Sequence, residues 1–371
     1  MKVKGEFMKK VNIITRHAVS NYGSLMQTIA TVDVFKQLGY KCEVIDYLNS
    51  NEKVLNSLKN FALNRNLNGL KKLAYIVLKY PSEKKKYKIF NKMRKTYLPL
   101  TKRYSNSKEM KNAFNNEILC SGGDQLWGYM PNNQLDTAYY LDFANDTNKC
   151  ISFSSSFGRY DFNDNEKEVI SSNLKKYSFI TVREESAVKY INNFNLDAKL
   201  VLDPTLLVEK KLWHKLANDY KPKEDFVLVY KLRQDEKLNN LAERIANENG
   251  LKIIYITNTV FNKNSNGKTL VNKKLSIVLS LFKNANYVVT DSFHATVLSI
   301  IFEKKFCTHL PGKTNARIID FLDMLSISER IYYDVEFYSY NDEINYLKVN
   351  SILEEKKKID LEYIRKKMAV L

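Results

Sequence analysis

The chain is poor in cysteine and histidine, has no long apolar run, and over one stretch of sixty residues has almost no acidic side chains. Its four cysteines (Cys42, Cys120, Cys150, Cys307) form no C-x-x-C pair and no spacing that would hold a metal. They lie in strand-like runs such as Lys41-Cys42-Glu43-Val44-Ile45 and Phe306-Cys307-Thr308, which predicts buried free thiols in a reducing compartment. Met1 to Lys10 is polar and basic, without the apolar centre of a secretory signal. Met8-Lys9-Lys10 running into a strand reads as a natural start, with the first seven residues a leader or an artificial extension. The longer apolar stretches, such as Ala295 to Phe302, fall well short of a spanning helix, so a soluble, cytoplasmic protein is expected.

What is present supports two ordinary domains. The 371 residues exceed one typical domain, 44% are hydrophobic, and charged residues at 27% are near the globular average. The net charge of +18 is concentrated: residues 53–112 hold 17 Lys/Arg against 2 Asp/Glu, leaving +3 for the rest. Such a field attracts an anionic surface or ligand, or is a solvated basic face.

Hydrophobic periodicity gives an alternating pattern. Val11 to Thr15 reads as a buried strand. Leu25, Ile29, Val32, Phe35 and Leu38 then form a helical stripe stopped by Gly39, and Glu43 to Tyr47 is the next strand. This is a βαβ unit, hence a parallel sheet. Residues 53–112 read as helical and as an insertion. Strands follow at 117–121, 149–154, 179–183 and 199–203. A second series, with strands at 226–230, 252–257, 287–291 and 305–310, alternates with helices at 238–249, 276–284, 294–302 and 318–325. The predicted fold class is α/β, with two Rossmann-like domains of GT-B-like architecture facing a cleft. Residues 9–205 form the first, with the basic insertion 53–112 on the acceptor side, and 206–371 the second, on the donor side. Ligands in such sheets sit at the carboxyl ends of the strands.

Six segments stand at those ends. Asn21-Tyr22-Gly23-Ser24 precedes a helix, as a backbone approach to a ligand or as a plain cap and turn. In Ser121-Gly122-Gly123-Asp124-Gln125-Leu126-Trp127, Asp124 can orient or deprotonate a sugar hydroxyl, and Trp127 can stack on a sugar or fill a core. Arg183, after an apolar strand, suits a carboxylate or phosphate, or a structural bridge to Glu184 or Asp203. Asp203 reads as a cap. Thr290-Asp291-Ser292-Phe293-His294 places a histidine at a helix start, where a bound phosphate would keep its proton in place for donation, or where it packs as a cap. Pro311-Gly312-Lys313-Thr314-Asn315-Ala316-Arg317 puts two cations beside a helix. It is not a Walker loop, because the first glycine would fall at Cys307.

Together with Ser-Phe-Ser-Ser-Ser-Phe-Gly at 152–158 and Leu202-Asp203-Pro204-Thr205, these segments occur in an order that resembles the polysaccharide pyruvyl transferase family, from about Asn12 to Leu325. The resemblance implies a bacterial transferase that moves the enolpyruvyl unit of phosphoenolpyruvate onto sugar hydroxyls as a ketal. It needs no cofactor and no metal. Arg183, His294 and Lys313 would hold the donor, with Ser292 and Arg317 beside them and His294 as the acid. Asp124 would act as base, and Asn21, Tyr22, Gly23, Gly123, Gln125 and Trp127 would line the acceptor side. The chain departs from the family at Ala295, where Gly is common, and at Gly123, where Ser is common. Expected partners are phosphoenolpyruvate, a saccharide acceptor that can be lipid-linked, and an anionic membrane touched by 53–112, with no nucleic acid. The alternatives are a GT-B glycosyltransferase using a nucleotide sugar, and a non-enzymatic binder of membrane or nucleic acid using the aromatics Tyr75, Tyr80, Tyr87, Phe90 and Tyr97.

Overall fold

A computed structural model describes residues 9–233, 235–257, 266–310, 316–333 and 342–371. The chain divides into two compact units, 1–207 with 360–371, and 208–359.

Unit 1 contains β1 (Lys10–Ile14), α1 (Tyr22–Gln37), β2 (Lys41–Tyr47), α2 (Val54–Leu63), α3 (Gly69–Tyr97), β3 (Leu100–Tyr104), α4 (Ser107–Met110), β4 (Ile118–Gly122) and β5 (Lys149–Phe153). It continues with α5 (Asp164–Leu174), β6 (Tyr177–Phe179), β7 (Thr181–Val182), α6 (Glu185–Asn192), β8 (Lys199–Leu200) and α7 (Pro204–Leu207). Its main sheet has the order β3-β2-β1-β4-β5-β6, parallel throughout, and β7 pairs with β8. The central strands are apolar and buried on both faces, the burial that parallel sheets require. The edge strand β3 lies inside the segment expected to be helical. Its Lys102 and Arg103 are exposed, and charge of that kind masks a strand signal while protecting a sheet edge.

Helix α1 also differs from the amphipathic stripe expected of it. Tyr22 to Val32 is buried without a break. Phe35 packs on Phe153 of the sheet at 5.0 Å, and Tyr22 packs on Phe90 of α3 at 4.8 Å. The polar residues of α1 turn inward on the helix itself: Thr28 Oγ1 donates to the Ser24 carbonyl (2.7 Å) and Thr31 Oγ1 to that of Gln27 (2.9 Å).

Unit 2 contains α8 (Lys210–Leu216), β9 (Phe226–Tyr230), α9 (Glu236–Asn249), β10 (Lys252–Thr257), β11 (Lys268–Val271), α10 (Leu275–Asn284) and β12 (Tyr287–Thr290). These are followed by α11 (Phe293–Ile301), β13 (Lys305–His309), α12 (Ala316–Met324), β14 (Ile331–Tyr332) and the start of α13 (Tyr346–Ala369). The parallel order is β11-β10-β9-β12-β13-β14, the same permutation as in unit 1. Strand order therefore reverses at β1/β4 in one unit and at β9/β12 in the other. At such a reversal the crossovers leave in opposite directions and open a crevice at the strand ends.

Helix α13 begins in unit 2 and ends in unit 1. Asp360 accepts the Leu202 N–H at 2.8 Å, the Tyr40 hydroxyl donates to the Met368 carbonyl at 3.0 Å, and Ile364 and Met368 are buried. Among the described residues, no helix is long and apolar enough to cross a membrane.

Candidate active site

In unit 2 the reversal lies between β9 and β12, and the residues that follow these two strands are tied together. Thr290 Oγ1 donates to the Tyr230 carbonyl (2.6 Å). The Asp291 carboxylate accepts the Leu232 N–H (2.7 Å) and the Arg233 N–H (3.2 Å). Burial pushes the Asp291 carboxyl pKa up, against the pull of those two bonds. Ser292 then occupies the cap of α11 without making a side-chain capping bond, and His294 sits in the first turn, 7% exposed. The Phe293 ring joins two candidates on one surface: it meets the His294 imidazole edge-on at 5.3 Å, and the Arg317 guanidinium lies over it at 5.6 Å. Lys313 lies outside the described residues.

Lys231 was not singled out from the sequence. It follows β9 directly and is buried, with Nζ donating to Asn239 Oδ1 at 2.6 Å. Burial lowers its pKa, opposed by Asp235 and Asp291. The usable signal was its position as the first residue after a fully apolar strand. His309, at the end of β13, pairs with Asp235 at 3.1 Å and reaches the Tyr332 carbonyl, so it supports the strand ends.

In unit 1 the reversal lies between β1 and β4. Gly123, just after β4, has φ +131°, and a Cβ there would run into the side chains of Thr15 and Gln27. Glycine suits this turn, since any side chain would be strained at that φ and would have to displace Thr15 and Gln27. Asp124, next in the chain, is partly exposed and pairs with Arg183. The Arg183 guanidinium is buried and also binds Asp203 at 2.5 Å, and Asp203 in turn accepts from the Thr205 N–H (3.0 Å) and hydroxyl (2.6 Å). Burial would lower the Arg183 pKa, but the carboxylates of Asp124, Asp203 and Glu184 raise it overall, so the charge is firmly held. Arg16, after β1, was also missed. It pairs with Glu52 at 3.0 Å, and Glu52 accepts the Tyr139 hydroxyl at 3.1 Å. His17, next to it, reaches Asp46 at 3.2 Å.

Two candidates belong to the core and not to a ligand surface. Trp127 is fully buried, stacked on Tyr140, with its indole N–H donating to Ser121 Oγ (3.1 Å) and the Tyr139 carbonyl (3.2 Å). It offers no face to a sugar. Tyr22 is buried against Phe90. Asn21 caps α1, its side chain accepting the Gly23 N–H at 2.7 Å. Gln125 packs against Gly158. The serine run 152–156 is a set of cross-strand ties: Ser152 Oγ to the Thr181 carbonyl (2.6 Å), Ser154 Oγ to that of Leu202 (3.1 Å), Ser155 Oγ to that of Ser121 (2.9 Å), and Ser156 Oγ to Glu184 (3.1 Å).

The unit 2 edge thus groups an imidazole, a hydroxyl and a guanidinium at the start of a nine-residue helix, while the buried Lys231 ammonium lies against Asn239 of α9 and over the Tyr255 ring at 5.2 Å. Such an edge suits an anion and a proton donor. The unit 1 edge presents a carboxylate held by an arginine, suited to orienting a hydroxyl. Among the described residues, no group of three or more His, Cys, Asp or Glu could hold a metal ion.

The sequence pattern of the polysaccharide pyruvyl transferase family matches residues 21–308. No curated protein matches the chain. Among solved structures, a trehalose-6-phosphate synthase shares a TM-score of 0.53 at 9% identity, covering 98% of each chain. A putative UDP-N-acetylglucosamine 2-epimerase from Listeria monocytogenes shares a TM-score of 0.51 at 8% identity, covering 98% of this chain and 91% of its own. At such identities the likeness is one of fold alone, the GT-B pairing of two α/β units.

Proposed function

The chain belongs to the polysaccharide pyruvyl transferase family, and from that premise we propose that it transfers the enolpyruvyl unit of phosphoenolpyruvate to two hydroxyls of a saccharide, forming a cyclic ketal and releasing phosphate. The observation that carries this reading is His294 in the first turn of α11, at the unit 2 strand reversal, with Ser292 before it and Arg317 across the shared Phe293 ring.

Phosphoenolpyruvate has a carboxylate and a phosphate, so its site needs cations and N–H donors. Arg317 and the start of α11 supply them, with Lys313 a further donor-binding cation by family resemblance. His294 gives a proton to the donor methylene, which becomes the ketal methyl. The adjacent carbon, now electron-poor, is attacked by one sugar hydroxyl, whose proton passes to a base. A second hydroxyl adds as the C–O bond to phosphate breaks, and its proton leaves with the phosphate or restores the acid. We assign the hydroxyl-orienting role to Asp124. Arg183, which the resemblance places on the donor, is held between Asp124 and Asp203, so we assign it the positioning of Asp124. The acceptor is a cell-surface polysaccharide or its lipid-linked precursor.

The test is phosphate release from phosphoenolpyruvate in the presence of soluble and lipid-linked saccharides, with nucleotide sugars as the competing donors. Acceptor-dependent phosphate release with phosphoenolpyruvate supports the reading. Glycosyl transfer from a nucleotide sugar, with phosphoenolpyruvate inert, overturns it.

A further inference from the structure

Helix α3 shows solvent the face that a surface helix ordinarily hides. Between Leu70 and Leu78 the exposed side chains are mostly apolar, namely Leu70 (84% exposed), Leu73 (58%), Ala74, Val77 (62%) and Leu78 (74%) with Lys71 at their edge, while Lys72 and Lys79 are partly covered. An amphipathic helix on a water-facing surface has the opposite arrangement. At 100° per residue, the same outward face continues past Pro81 to Lys84 and Lys88, with Lys85 alongside, all exposed. Helix α2, packed on α3, adds Phe61 and Leu63, each about half exposed. Within α3 ten Lys/Arg stand against a single Glu, and that Glu83 is paired with Lys86 at 2.5 Å.

An apolar strip beside a basic one matches the boundary of an anionic bilayer, where acyl chains lie next to charged headgroups. The other occupants fit less well. Nucleic acid would need outward aromatics for base stacking. Here Phe90 is buried against Tyr22, the Arg94 guanidinium lies over the Tyr87 ring at 5.1 Å, and Tyr75, Tyr80 and Tyr97 are partly buried, which leaves Phe61, under the Arg65 guanidinium at 4.6 Å, as the exposed aromatic of α2 and α3 and no row on which bases could stack. A second copy of the chain, paired through this face, would bring its own lysines together with little acid to offset them.

We propose that α2 and α3 dock the protein on an anionic lipid bilayer, with Leu70, Leu73, Val77 and Leu78 entering the acyl boundary and Lys84, Lys85 and Lys88 meeting the headgroups. The helices lie in the interface and do not span it. This docking is separate from the transfer reaction and does not rest on it.

Co-sedimentation of the full chain with vesicles tests it, using neutral phosphatidylcholine against mixtures containing phosphatidylglycerol. Binding is expected to require the anionic lipid and to weaken as salt rises. Leu73→Ser with Val77→Ser should reduce partitioning by about tenfold per residue. Lys84→Gln, Lys85→Gln and Lys88→Gln together should reduce it on the order of a hundredfold. All variants should keep the wild-type circular dichroism and the wild-type rate on a soluble acceptor. The proposal is overturned by any of three results. The first is absence of vesicle binding, including the case where single-stranded nucleic acid binds instead. The second is equal binding to neutral and anionic vesicles. The third is a solution dimer that Leu73→Ser with Val77→Ser dissociates.

Discussion

At the scale of single residues, the two candidate edges call for different experiments. If His294 is the acid we propose, His294→Ala should keep the fold and donor binding while turnover falls by about 10²–10⁴. Single-turnover kinetics with a separate donor-binding measurement check this, and near-normal turnover would remove the acid role. Arg183 is placed to act on its neighbours. Arg183→Ala removes the guanidinium shared by the buried Asp203 and the partly buried Asp124, and losing one partner of a buried pair costs about 3–5 kcal/mol. A thermal melt should therefore register this variant before an assay does. Asp46 gives a pH signature. Burial alone would raise its pKa, but the bonds from His17 and Arg103 outweigh burial and hold it below the ordinary value of about 4. A carboxylate with a depressed folded pKa contributes stability that is present above its unfolded value and lost as pH falls through the folded one. Arg103→Ala should accordingly move the acid-unfolding midpoint to higher pH, read by circular dichroism.

At the scale of elements, caps and turns fix how the candidate side chains are presented. Asn21 caps α1, and Asn21→Ala should cost about 1 kcal/mol of unit 1 stability with little effect on the Michaelis constants. A large rise in one of those constants with unchanged stability would return Asn21 to the substrate surface. This is also the scale at which the sequence was most readable. Phe226 to Tyr230 and Tyr287 to Thr290 are apolar runs ended by polar residues, and both are strands. Strands β3, β11 and β14 were not readable, because edge strands are short or carry lysines that blur the alternation. The aromatic in Gln125-Leu126-Trp127 looked the same as a sugar platform or as a core residue. Only the packing of Tyr140 against it decides between them.

At the scale of the whole molecule, the candidate sites exist because strands distant in sequence become neighbours. A lone Lys231 or Arg16 after a strand has no special meaning in a chain with 59 Lys/Arg. Each gains meaning once β9 lies beside β12 and β1 beside β4. The return of the last residues to unit 1 was equally illegible, since the bond from Leu202 to Asp360 joins positions 158 apart. Truncation after Ile359 removes that bond and the buried Ile364 and Met368, so it should destabilise unit 1, seen as early loss of hydrogen-exchange protection there and not across unit 2. The central claim is that this GT-B pair of units transfers an enolpyruvyl group. Its most direct test is mass analysis of an acceptor saccharide incubated with phosphoenolpyruvate and the purified protein, with His294→Ala as the control. The account predicts an acceptor heavier by one ketal-linked pyruvyl group, one phosphate released per group added, and loss of both in the variant. An unmodified acceptor across the saccharide panel, or a product carrying a sugar from a nucleotide donor, would contradict it.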